Sequence, residues 1–189
     1  MKGKFQYGLL ISLTVLFGFL AWQNPSVSER SKQEIDKANT IKVGSVVSGA
    51  AEIGRKAPDF TLSTIDGKNV SLSQFQGKTV ILNFWTTWCT YCKDEIPELI
   101  NFYHLHKEDD VVVLAVNLSS EEESLEPVAM FAHDLGIPFR IPLDKEGKVA
   151  TAYKVVMIPT TFVIAPDGTI QHKILGPANL KQLEKLLFK

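Results

Sequence analysis

Cysteine is the scarcest informative residue in this 189-residue chain: there are two, Cys89 and Cys92, and no others. Two thiols can build neither the disulfide framework that staples small secreted domains nor a four-cysteine zinc site. Histidine is nearly as thin, with four residues. His104 and His106 stand near finger-like distance from Cys92, but their one-residue gap sets them about 200° apart on a helix, whereas zinc-finger spacing leaves three to five residues between. Lys93, not histidine, follows Cys92, which excludes haem attachment of the c type. An excess of either charge is also missing. The formal net charge is −1, and residues 54–189 carry 14 Lys and Arg against 17 Asp and Glu, so no basic face is offered to nucleic acid. No internal repeat is visible.

One long hydrophobic run is present. Phe5–Trp22 contains 18 residues and no charge, enough for a helix of about 27 Å against a bilayer core of about 30 Å. Lys2 and Lys4 precede it and predict a cytoplasmic N-terminus (residues 1–4), with the rest of the chain translocated. Tyr7 and Trp22 fall near its two ends, where interfacial aromatics concentrate. The favoured expectation is an uncleaved, single-pass membrane anchor over residues 5–22. A cleaved signal peptide is the alternative, but Phe19 sits at −3 from Ala21 and fits an A-x-A-like site poorly, and no cysteine is available for lipidation. Both readings put the domain outside the cytoplasm. Residues 23–53 are polar, mixed in charge and rich in small residues, and read as a tether.

From Gly54 the pattern is dense. Asp59–Ile65, the turn Asp66-Gly67 and Asn69–Leu72 predict a hairpin; Ser73–Gln76 predicts a helical turn ended by Gly77. Thr79–Phe84 and Val111–Leu118 are nearly unbroken apolar runs, as in strands buried on both faces. Helices are expected at Cys89–Lys107, with Pro97 kinking it, and at Glu121–Leu135, stopped by Gly136. Phe139–Leu143 reads as a short extended piece and Glu146–Tyr153 as a short helix. Thr160–Ala165 and Thr169–Leu175 flank Pro166-Asp167-Gly168 in a second hairpin, and Asn179–Phe188 closes the chain as an amphipathic helix. The alternation predicts an α/β fold: a central mixed sheet flanked by helices, with an N-terminal β-hairpin and an inserted strand–helix segment.

Both cysteines fall where the run Val80-Ile81-Leu82-Asn83-Phe84-Trp85 turns through Thr86-Thr87-Trp88 into a helical pattern. A thiol at a helix N-terminus faces unpaired N–H groups and the positive end of the helix dipole, which favours thiolate. A second thiol one turn on can resolve a mixed disulfide. A redox dithiol is therefore the leading reading. A structural bridge is the plain alternative, but closing four residues removes little entropy from the unfolded chain.

The segment Asn83-Phe84-Trp85-Thr86-Thr87-Trp88-Cys89-Thr90-Tyr91-Cys92-Lys93-Asp94-Glu95-Ile96-Pro97 resembles the active-site stretch of membrane-anchored thioredoxin-like proteins of the TlpA/ResA type. The likeness extends to Gly54-Arg55-Lys56-Ala57-Pro58-Asp59-Phe60-Thr61-Leu62, Gly77-Lys78, Ile158-Pro159-Thr160-Thr161-Phe162-Val163-Ile164 and Asp167-Gly168, all in family order over residues 54–189. The resemblance implies a thioredoxin-like fold and a redox-active Cys89–Cys92 disulfide, with Cys89 the exposed nucleophile and Cys92 the buried resolving thiol. It also implies a cis bond before Pro159, leaving the Ile158 backbone free to pair with an extended substrate segment; Trp88 could contact partners. Glu95 shares a helix face with Cys92, and an acid there is implied to tune the thiols or relay a proton; a solvated first-turn acid, like Asp94, is the alternative. Asn83 stands where cytosolic thioredoxins carry a buried aspartate, which passes the proton role to Glu95 or water. Thr90-Tyr91 departs from the dipeptides common in relatives and leaves the redox direction open. Glu121-Glu122-Glu123 reads simply as the start of a helix.

Implied by the same resemblance are no cofactor, a monomer, a protein disulfide as substrate (an apocytochrome c or a spore-envelope protein among the candidates) and a membrane electron donor of the CcdA/DsbD type. Reduction is the favoured direction and disulfide formation the alternative. A thiol peroxidase would want proline seven residues before its reactive cysteine, where Leu82 stands. A copper-delivery module would want wider cysteine spacing.

Overall fold

The computed structural model describes residues 51–188. The expected anchor, the cytoplasmic N-terminus and residues 23–50 of the tether lie outside the described residues, and among those described no helix is long and apolar enough to cross a membrane.

The first hairpin joins β1 (Thr61–Ser63) to β2 (Asn69–Ser71), antiparallel. Its turn needs Gly67 at φ 79°, a conformation that costs a residue with a Cβ. A 3-10 turn at Leu72–Phe75 follows. Four further strands form the main sheet in the order β4-β3-β5-β6. Strand β3 (Thr79–Trp85) is central, parallel to β4 (Val111–Asn117) and antiparallel to β5 (Thr160–Ile164), which pairs antiparallel with β6 (Ile170–Leu175). The parallel pair is joined through helix α1 (Thr90–His106), as a parallel connection requires.

The alternation of β3 sorts the core into two layers. Ile81 and Trp85 point to the side covered by α1, where Cys92, Ile96, Leu99 and Phe102 meet them with Leu183 of helix α4 (Leu180–Leu187). Val80, Leu82 and Phe84 point the other way, onto Phe60, Val70, Tyr153 and Val149 of the short helix α3 (Lys148–Ala152). Asn83 is a polar side chain in the first layer and is fully buried.

One expectation is corrected. The predicted helix Glu121–Leu135 is split: Ser119–Glu121 forms a 3-10 turn, and helix α2 runs only over Glu126–Asp134, with Leu135 its C-terminal cap. Pro127 explains the late start, since it lacks an N–H and fits best in a first turn, where that donor would be unpaired in any case. The helix stops where expected, with Gly136 following at φ 57°. Phe139–Leu143 is extended, as expected, and pairs by isolated bridges on both sides: Ala115 N–H donates to the Arg140 carbonyl (3.1 Å) and Asn117 N–H to the Pro142 carbonyl (2.9 Å), while Leu143 N–H donates to the Ser63 carbonyl (2.9 Å) and Ile65 N–H to the Ile141 carbonyl (3.1 Å); two prolines, 138 and 142, leave too few donors for a ladder. Ala51 also joins the buried core, and its N–H donates to the Ala152 carbonyl at 3.1 Å.

Candidate active site

The dithiol lies where β3 ends and α1 begins, the carboxyl edge of the sheet where open α/β folds place their ligands. Cys89 caps α1: its sulfur accepts a hydrogen bond from Cys92 N–H at 3.2 Å. The two cysteines are joined as a disulfide, with Cα atoms 5.3 Å apart. Cys92 is fully buried, but Cys89 is itself only 7 % exposed, which corrects the expectation of an exposed nucleophile. The bond to Cys92 and the N–H contact turn its sulfur over the first helical turn instead of outward.

Glu95, one turn beyond Cys92, is 1 % exposed, whereas its neighbour Asp94 is exposed. The solvated-acid alternative therefore fails for Glu95 on position alone. Its carboxylate accepts from Asn83 Nδ2–H (2.8 Å), Thr161 Oγ1–H (3.0 Å) and Ala178 N–H (2.9 Å), drawing β3, β5 and the loop after β6 onto one side chain of α1. Burial raises its pKa above the ordinary 4.5, and it prevails over the three hydrogen bonds, which favour the charged form. Asn83 spends its second N–H on Thr161 Oγ1 at 2.9 Å, and its Oδ1 is buried with no hydrogen-bond partner among the described residues.

The remaining sequence candidates meet on the facing side. The Ile158–Pro159 bond is cis. The backbone N–H and C=O of Ile158 make no backbone hydrogen bond among the described residues. Beside them opens a groove of about 690 Å³ whose apolar lining includes Trp88, Leu118, Val155, Val156, Met157 and Ile158. Trp88 and Val156 are 59 % and 85 % exposed, and Tyr91, between the cysteines, is exposed as well. Trp85, by contrast, is core: its indole N–H donates to the Ala115 carbonyl at 3.1 Å.

One side chain escaped the sequence reading. Glu122, expected to begin a helix, instead accepts hydrogen bonds from Thr87 N–H (2.7 Å), Thr87 Oγ1–H (2.6 Å) and Asn117 Nδ2–H (2.8 Å). The nearby Pro127 was the available signal that this acidic run could not all be helix. Of the two histidines considered for zinc, His106 is engaged elsewhere: it contacts Asp109 (2.8 Å) and Glu184 (3.3 Å) and stacks on Phe188.

A disulfide at a helix N-terminus, a buried acid behind it and an unpaired backbone stretch before a cis-proline define a thioredoxin-fold thiol–disulfide oxidoreductase. Comparison with known proteins carries this further. The AhpC/TSA family model matches residues 53–173, and the chain belongs to that family. It is 40% identical over 99% of its length to the thioredoxin-like protein YneN of Bacillus subtilis, covering 98% of that protein. It is 37% identical to the thiol-disulfide oxidoreductase ResA of Bacillus thuringiensis over 73% of this chain and 78% of that one. The crystal structure of StoA from Bacillus subtilis superposes with a TM-score of 0.63 at 34% identity, over 69% of this chain and 96% of StoA.

Proposed function

We propose that the protein is a membrane-tethered reductant of particular protein disulfides outside the cytoplasm. Cys89 thiolate attacks one sulfur of a partner disulfide, and the partner's other sulfur leaves as a thiolate. Cys92, deprotonated, then attacks the Cys89 sulfur, and the partner's second cysteine departs. Two electrons pass to the partner, its thiolates take up two protons, and the Cys89–Cys92 disulfide remains. An electron donor of the CcdA/DsbD type restores the dithiol, and Phe5–Trp22 holds the domain at the membrane surface. The partner's chain enters the groove beside Trp88 and pairs with the free Ile158 backbone. A disulfide of an apocytochrome c or of a spore-envelope protein suits this site.

Glu95 is the observation that carries the direction. A potential is raised when the dithiol form is stabilised, as by a strongly acidic thiol. Wherever its carboxylate is charged, Glu95, buried one helical turn from Cys92, works against thiolate. It therefore favours the disulfide form and makes the dithiol the better donor. The test is the midpoint potential of the Cys89/Cys92 couple in the full-length protein. A value near or below about −270 mV supports a reductant, and one towards about −120 mV makes the protein a disulfide donor and overturns the reading.

A further inference from the structure

The chain approaching Cys89 is held by a side chain from a different part of the fold. Residues Thr86–Trp88 lie between β3 and the first turn of α1, and the N–H of Thr87 makes no backbone hydrogen bond among the described residues. Glu122 supplies the missing partner. One oxygen, Oε1, accepts both Thr87 N–H and Asn117 Nδ2–H, and the other, Oε2, accepts the Thr87 hydroxyl. One residue earlier, the Glu121 carbonyl accepts the indole N–H of Trp88 at 2.9 Å. The loop after β4 thus grips two successive residues just before the nucleophile. Asn117, the last residue of β4 and itself buried, fixes the grip to the sheet.

Hydrogen bonds to a charged acceptor are roughly twice as strong as neutral ones. Three of them converge on the one half-buried carboxylate of Glu122. Their effect falls on Trp88, which forms one wall of the groove that opens towards Ile158, while Glu121 and Leu118 line the same groove. The loop that grips the turn is therefore also part of the surface a partner meets.

We propose that Glu122 is a positioning residue for protein substrates: it fixes the Thr87–Trp88 turn so that the indole wall and Cys89 present one shape to a docked chain. This rests on the reading of Cys89 as the nucleophile of a disulfide exchange. It predicts discrimination between substrates that need the groove and substrates that do not.

The experiment uses the full-length protein, reduced, with insulin as the protein disulfide and oxidised glutathione as the small one. The measured quantity is the ratio of the two exchange rate constants. Glu122→Ala lowers that ratio about tenfold, the scale expected when a charged hydrogen-bond partner is lost. Glu122→Gln restores it to within about twofold, because Oε1 of glutamine still accepts both N–H groups and its amide can donate to the Thr87 hydroxyl. Should Glu122→Ala not fold, Thr87→Val removes one contact alone and lowers the ratio by a smaller factor. An unchanged ratio in Glu122→Ala, or in Thr87→Val where the alanine variant does not fold, overturns the proposal. So does an equal fall in Glu122→Gln, which would assign the effect to charge. No exchange with glutathione by the unaltered protein would instead remove the oxidoreductase reading beneath it.

Discussion

The two ends of the central sheet obey opposite rules. At the end away from the dithiol, charge lies outside and apolar surface inside: Lys56 pairs with Asp167 (3.3 Å) and Lys78 with Asp110 (3.4 Å), all exposed, around a small pocket of about 160 Å³. At the dithiol end the arrangement is inverted. An acid, an asparagine and a threonine (Glu95, Asn83, Thr161) are buried together, while Trp88, Tyr91, Val156 and Met157 stand in solvent. Burying a carboxylate costs free energy unless it is well bonded, and exposing large apolar side chains forgoes their burial. Both expenses fall within reach of one disulfide. The lesson is that the site is recognised by its departure from the rule the other end keeps.

Removing a sulfur breaks the comparison most completely. Cys89→Ala abolishes exchange with any disulfide, since the attacking thiolate is gone. Cys92→Ala leaves partners trapped in mixed disulfides, visible as slow-migrating species on non-reducing gels. Turnover by Cys92→Ala with nothing trapped would show that the two roles are wrongly divided.

A smaller effect comes from the buried acid. Its folded-state pKa is raised, so between the ordinary 4.5 and that higher value the folded protein holds a proton the unfolded chain has lost. Stability is therefore fully present below the unfolded value and declines as pH rises through the folded one. Denaturation of Glu95→Gln between pH 4 and 8 should lack this decline, and its apparent thiol pKa should fall. Identical pH slopes for the variant and the parent would mean that Glu95 does not ionise there.

The smallest effect belongs to the other end. Lys56→Ala breaks an ion pair whose partners are both exposed, and such pairs contribute little. Exchange rates and the midpoint potential should be unchanged within error. A measurable shift in potential would show that the two ends are coupled after all.

Much of the frame was legible in the chain because its signals are local. The apolar runs around Ile81 and Val113 marked strands buried on both faces, Asp66-Gly67 and Asp167-Gly168 marked turns, and the change from an apolar run to a helical pattern at Cys89 marked a helix start. What escaped depends on distance. The partners of Glu95 come from residues 83, 161 and 178, joined to it only by folding. Glu122 was misread for the same reason: three adjacent acids before an apolar stretch suit a helix N-terminus, and nothing nearby says that one of them bonds to Thr87, 35 residues earlier. The burial of Cys89 was missed because a disulfide's orientation is a property of two side chains together.

The contact between Ala178 and Glu95 gives the protein its own indicator. The amide proton of Ala178 points at a carboxylate oxygen 2.9 Å away, although the two residues are 83 apart in the chain. When that oxygen gains or loses charge, the magnetic shielding of the amide proton changes with it. A single crosspeak in a nitrogen–proton spectrum therefore follows the acid's ionisation in real time, with the sulfurs left unlabelled and undisturbed.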